Sequence, residues 1–140
     1  MDTAWTAVTR RIFALVLCLC PLAIPLANDD RADSCSEGVV SRLYMGQTTP
    51  AGAVTEVQWR AFVAESVTPR FPSGFTELQA QGHWRDDRGV ISEEGTRIVE
   101  IVHNGETLSR ERVRKVAADY KHRFAQQSVL ITQAPSFHCL

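Results

Sequence analysis

The sequence predicts an α+β domain of ferredoxin-like type, βαββαβ, with a four-stranded antiparallel sheet carrying two helices on one face. Three observations predict it. Apolar residues recur at helical spacing in two stretches, from Thr55 and from Leu108, and two stretches of period two separate them. Further period-two stretches precede the first helix and follow the second. Right-handed crossovers applied to the two strand-helix-strand units then set the first strand antiparallel beside the last.

The chain begins with Arg10 and Arg11 ahead of an uncharged run from Ile12 to Ala27, which Pro21 and Pro25 interrupt. A membrane-spanning helix takes about 20 apolar residues, so this run reads instead as an export signal of residues 1–27. Thr9-Arg10-Arg11-Ile12-Phe13 is similar to the twin-arginine export motif, with the general secretory route as the alternative. Residues 28–38 are expected to form a flexible tail, and 39–140 one domain. The mature protein is therefore expected to be periplasmic or secreted, with no membrane span.

Val39 to Gly46 alternates as a first strand, and Gln47 to Gly52, holding Pro50, forms a loop. Thr55 and Gln58 have the spacing of a capping box, and Val54 and Trp59 that of a hydrophobic staple. Trp59, Phe62, Val63 and Val67 make one apolar stripe, with Arg60 and Glu65 off it. Pro69 and Pro72 end this helix, and Gly74 permits the turn that follows. From Phe75 the period is two. Leu78, Ala80, Gly82 and Trp84 are expected to face the core, and Glu77, Gln79, Gln81 and His83 the other side.

Asp86-Asp87-Arg88-Gly89 is a turn signal before a strand from Val90 to His103, in which Gly95 marks a bulge or break. After Asn104-Gly105 a second helix runs from about Leu108 to Phe124, capped by Thr107 or Ser109. Val113, Val116, Ala117, Tyr120 and Phe124 form its buried stripe. Val129 to Gln133 is the last strand, ended by Pro135.

Cys18 and Cys20 leave with the signal, so Cys35 and Cys139 remain near the two ends of the domain. In an oxidising compartment they are expected to form a disulfide, two free thiols or a metal site being the alternatives. His138 beside Cys139 supplies too few ligands for a metal, and no metal or cofactor is expected. A net charge of −1 draws the chain towards neither nucleic acid nor anionic membrane. Arg110, Arg112, Arg114, Lys115, Lys121 and Arg123 make the second helix basic, but Glu111 and Asp119 are mixed in.

Helices on one face leave the other open, and parity assigns Arg42, Tyr44, Glu77, Gln79, Gln81, His83 and Glu100 to it. Tyr44, His83 and Glu100 are the candidate acid and base residues for a small substrate. The competing reading is a solvated or dimer-forming surface, because Ile98 and Val102 share the parity of Glu100. Arg42 and Arg70 are the candidate binding residues; Arg70, between two prolines, either binds a carboxylate or phosphate or pairs with a nearby Glu to hold the corner. His103 reads as a turn residue. These features predict a binding or interaction module of the cell envelope that uses the open face for a small molecule or a second copy, with a small-molecule enzyme as the alternative.

Arg42-Leu43-Tyr44-Met45-Gly46, Trp59-Arg60-Ala61-Phe62, Val67-Thr68-Pro69-Arg70-Phe71-Pro72 and Gly82-His83-Trp84-Arg85 carry a further signal. With Tyr120-Lys121, Arg123-Phe124 and Gln127-Ser128-Val129-Leu130, they resemble the small exported bacterial proteins grouped as domain of unknown function 3574. Met45 departs from the aromatic residue expected there. The resemblance implies an exported single domain and transfers no activity or catalytic residue.

Overall fold

The computed structural model describes residues 34–85 and 88–139. The expected export signal, tail residues 28–33, and Asp86 and Asp87 of the expected turn lie outside the described residues.

Four long strands form one antiparallel sheet: β1 (Cys35–Gly46), β4 (Thr76–Arg85), β5 (Ile91–His103) and β6 (Leu130–Cys139), in the spatial order β4-β5-β1-β6. A short ribbon, β2 (Thr48–Thr49) with β3 (Gly52–Ala53), occupies the loop after β1. The first helix, α1, spans Glu56–Phe62 and continues as one π-helical turn over Val63–Val67; the second, α2, spans Thr107–Phe124.

Pairing is continuous along all three ladders, as in Arg42 opposite Glu100 and Thr132, and Thr76 opposite Glu100. Side chains alternate across a pleated sheet and directly paired residues share a face. Even-numbered strand residues therefore occupy one face of this sheet and odd-numbered residues the other. Leu43, Met45, Val99 and Ile101 of the odd face pack against Trp59, Phe62 and Val67 and against Val113, Val116, Tyr120 and Phe124. Both helices thus cover the same face, and the even face is open.

The local signals that build α1 act as expected. Thr55 accepts from the Gln58 amide, and Gln58 accepts from the Thr55 amide at 2.9 Å, closing the capping box. The π-turn was not anticipated; its amide of Thr68 bonds the carbonyl of Val63, five residues back, just before Pro69 withdraws a donor.

Several expectations are corrected. β1 starts at Cys35, so residues 35–38 belong to the sheet and not to a tail, because their backbone pairs with 136–139. Gly95 causes no bulge; it stays in register opposite Gln81, and its carbonyl accepts from the Gln47 amide. Neither Thr107 nor Ser109 caps α2. The residue at the cap is Glu106, and Asn104 gathers the turn by accepting from the Glu106 amide and the Ser109 hydroxyl. β6 runs through Pro135 to Cys139, which an edge strand tolerates because one side of its backbone has no ladder to supply.

The largest correction concerns β4. Glu77 lies opposite Val99, and Val99 is core, so Glu77 is held on the helix face, where it accepts a hydrogen bond from the Trp59 indole at 2.5 Å. Gln79, Gln81 and His83 follow it there, while Leu78, Ala80, Gly82 and Trp84 go to the open face. Trp84, expected in the core, is 49% exposed. Cys35 and Cys139 pair across β1 and β6 and are joined by a disulfide.

Candidate functional site

β1 ends at Gly46, opposite Thr96, and past the Gln47–Gly95 hydrogen bond β4 and β5 continue as a ladder with each other. The departing two-stranded arm, the open face and two loops enclose a pocket of about 590 Å³. Its floor and arm side are even-numbered strand residues: Tyr44, Gly46, Gly82, Trp84, Glu94, Thr96 and Leu130. Thr48, Thr49 and Pro50 form one wall, and residues 125–128 the other.

Two glycines make the room. A Cβ on Gly46 would lie 2.6 and 2.7 Å from the two Glu94 carboxylate oxygens, and one on Gly82 would lie 2.5 Å from Thr96 Oγ1. The absent side chains let a carboxylate and a hydroxyl lie flat along the sheet. The loops are tied down from behind. Tyr120 donates to the Gly46 carbonyl at 2.7 Å and accepts from Gln47 Nε2 at 2.8 Å, and Gln126 Nε2 donates to the Thr48 carbonyl at 2.6 Å. Burial pushes the Tyr120 phenol well above its usual range, so it stays a neutral donor.

Among the described lining residues the carboxylate is Glu94; the remaining polar groups are hydroxyls, amides and the His83 ring. Such a surface accepts hydrogen bonds from, and attracts, a neutral or cationic molecule, and it repels phosphate. Half-exposed Trp84 offers flat apolar area for a ring.

The expected acid–base set is not assembled. Tyr44 and His83 both border the pocket, but His83 sits on the helix face of the edge strand, with Nδ1 3.5 Å from Glu93 Oε1. Glu100 lies outside the pocket and accepts from Arg42 Nε at 2.5 Å, which also occupies Arg42. Arg70 holds the corner: it donates to the Ser66 carbonyl at 2.5 Å and pairs with Asp119 of α2 at 2.9 Å, an Asp in place of the expected Glu. Among the described residues no three of His, Cys, Asp and Glu stand together as metal ligands.

Sequence reasoning missed Glu94, Thr96 and the exposure of Trp84. The available signal was two strand glycines, Gly46 at the end of β1 and Gly82 within β4, that flank the Glu94-Gly95-Thr96 segment, since a glycine in a strand marks a close approach.

Fold and pocket together define a small α+β domain with an accessible site at one end of an open sheet face. The chain belongs to the family described as Protein of unknown function (DUF3574), whose model matches residues 40–139. A comparison with curated proteins finds no match. Two solved structures are similar in fold. One is a phage SAM lyase in complex with S-methyl-5'-thioadenosine, at a TM-score of 0.59 and 12% identity over 74% of this chain and 88% of that chain. The other is a phage SAM lyase in its apo state, at 0.57 and 13% over 74% and 89%. At these identities the likeness is one of fold.

Proposed function

We propose that this protein is an exported ligand-binding domain of ferredoxin-like architecture, and that its site is the pocket at the base of the β4–β5 arm. The observation that carries the reading is the Glu94 carboxylate, lying over Gly46 in a pocket that Thr96, Trp84 and, towards its other end, Tyr44 also line. The ligand class is a small molecule with a flat ring and hydroxyl groups or a positive charge. The ring lies on Trp84, and Glu94 accepts from the donors. S-methyl-5'-thioadenosine, the purine nucleoside thioether in complex with the similar phage enzyme, is of this class, which supports the choice of first probe. The strand order β4-β5-β1-β6 with both helices on one face supports the ferredoxin-like reading. The apolar leader and the disulfide support export.

Titration calorimetry with S-methyl-5'-thioadenosine, and with adenosine 5'-monophosphate as its phosphate-bearing counterpart, tests this. The thioether is expected to bind and the monophosphate to bind far more weakly, because its phosphate meets a carboxylate. Glu94→Gln and Trp84→Ala should each weaken binding by about tenfold or more, and so should Gly46→Ala, whose added Cβ displaces Glu94. Equal affinity for both probes, or Glu94→Gln without effect, would overturn the reading. A catalytic variant of it rests on Tyr44 and Glu94 sharing one pocket, and requires chemical turnover of the bound probe.

A further inference from the structure

We propose that two copies of this protein stack open face on open face, about a two-fold axis that runs along the central strands midway between β1 and β5. The composition of the face is the first reason. In the four cross-strand rows from Val40 to Gly46, the charged residues among the described ones are Arg42 and Glu100. The remainder are apolar or aromatic, Gly or Thr. Leu78, Val102 and Leu130 are each 44–48% exposed there, on a molecule whose α2 surface is dense with charge.

The pattern within the rows is the second reason, and it selects the partner. Across the sheet one row reads Leu78, Ile98, Tyr44, Leu130, and the next reads Thr76, Glu100, Arg42, Thr132. The proposed axis keeps each residue at its level along the strands while it lays β1 of one copy over β5 of the other, and β4 over β6. Each row then meets its own reverse. Leu78 covers Leu130, Tyr44 covers Ile98, Thr76 covers Thr132, and Arg42 of each copy faces Glu100 of the other. A surface that complements itself when reversed is what an isologous dimer requires. A foreign partner would have no reason to be matched in this way.

The strands are staggered: β4 begins at the level of Arg42 and β6 reaches only to that of Tyr44, so all four overlie one another from Arg42 to Tyr44, and β1 and β5 from Val39 to Gly46. At about 4.8 Å between strands and about 3.3 Å per residue this is roughly 350 Å² per copy, or about 700 Å² in total, the size of a weak, reversible interface. The same operation carries the partner's arm above the 125–128 loop and lays the second copy over Tyr44 and Leu130, so the end of the pocket at Trp84 and Glu94 is the one left to a ligand. The dimer does not depend on the ligand assignment.

The test is a charge exchange read by sedimentation velocity and native mass spectrometry, with circular dichroism to verify folding. The wild type is expected to dimerise reversibly, with the dimer appearing as the concentration is raised to about 100 micromolar. Arg42→Glu sets two carboxylates against each other across the axis, and Glu100→Arg sets two guanidinium groups against each other, so each variant alone should be monomeric. Mixed in equal amounts they should form a heterodimer, because both intermolecular pairs are then of opposite sign while each chain still carries its own like-charge pair. Should either variant fail to fold, Leu78→Lys, at a position already exposed in the monomer, should abolish the dimer. A wild type still monomeric at that concentration, a dimer indifferent to Leu78→Lys, or variants that do not associate on mixing would each overturn the proposal.

Discussion

His103 shows how one side chain is set by everything packed around it. Its Nδ1 accepts from the Gly105 amide at 3.0 Å, so the neutral ring carries its proton on Nε2 and donates it to Ser41 Oγ at 2.8 Å. Gln133 Nε2 also donates to Ser41 Oγ, and Arg110 donates to Gln133 and to the Gly105 carbonyl. The ring therefore cannot take a proton from Ser41, and the pair is no nucleophile and base. Burial first, and the Arg110 charge second, hold the His103 pKa below its ordinary value of 6.5. The unfolded chain takes up the proton before the folded one, so this contribution to stability is full above pH 6.5 and is lost as pH falls through that value towards the folded pKa. A urea midpoint that declines between neutral pH and the carboxylate range, and a flatter profile in His103→Gln, are the expected results. A flat wild-type profile in that window would contradict the assignment. Hydrogen bonds from Arg60 and Arg97 lower the Glu56 pKa; burial raises that of Asp119, but Lys115, Arg70 and Ser66 more than offset it. Stability from these two carboxylates is lost only at lower pH, below their ordinary 4.5 and 3.8.

At the scale of elements, α2 is pinned to the end of β1 by Tyr120. Its ring packs edge-on against Phe62 at 5.1 Å and its hydroxyl bridges the Gly46 carbonyl and Gln47. Tyr120→Phe keeps the packing and leaves both groups short of a partner. A loss of about 1–2 kcal/mol in urea unfolding is expected, together with weaker ligand binding as the pocket wall loosens. Helices and strands were largely legible in the sequence because caps, periodicity and prolines act within a few residues. The ends of elements were less so. Nothing local to Pro135 reveals that it lies on an edge strand, and nothing local to Val63 reveals a π-turn. The facing of β4 illustrates the limit. Its alternation separates Leu78 and Trp84 from Glu77 and His83, but alternation does not say which set is covered. Pairing of Glu77 with Val99 decides that.

For the whole molecule, the Cys35–Cys139 bond closes a loop of sequence separation 104 and ties together strands that already pair. In the chain-entropy description a loop near that length constrains the unfolded state by up to about 4.7 kcal/mol. The double substitution Cys35→Ser with Cys139→Ser is expected to lower unfolding free energy by about 2–5 kcal/mol while the far-ultraviolet spectrum of the folded protein stays unchanged. Loss of the fold itself would mean that the core of Leu43, Trp59, Phe62, Val99 and Tyr120 does not stand alone. Among the described residues no helix is long and apolar enough to cross a membrane.

The candidate site divides along the same line. Residue order alone determined the family, the α+β class, the helix stripes, the capping box and the pairing of the two terminal cysteines, since each depends on spacing along the chain or on a count. Tertiary structure alone decided that Glu100 is occupied by Arg42, that His83 lies across the sheet from Tyr44, and that Glu94, Thr96 and Trp84 share a pocket. The register between strands far apart in sequence chooses which face a side chain joins, and a shift of one residue would reverse every such choice.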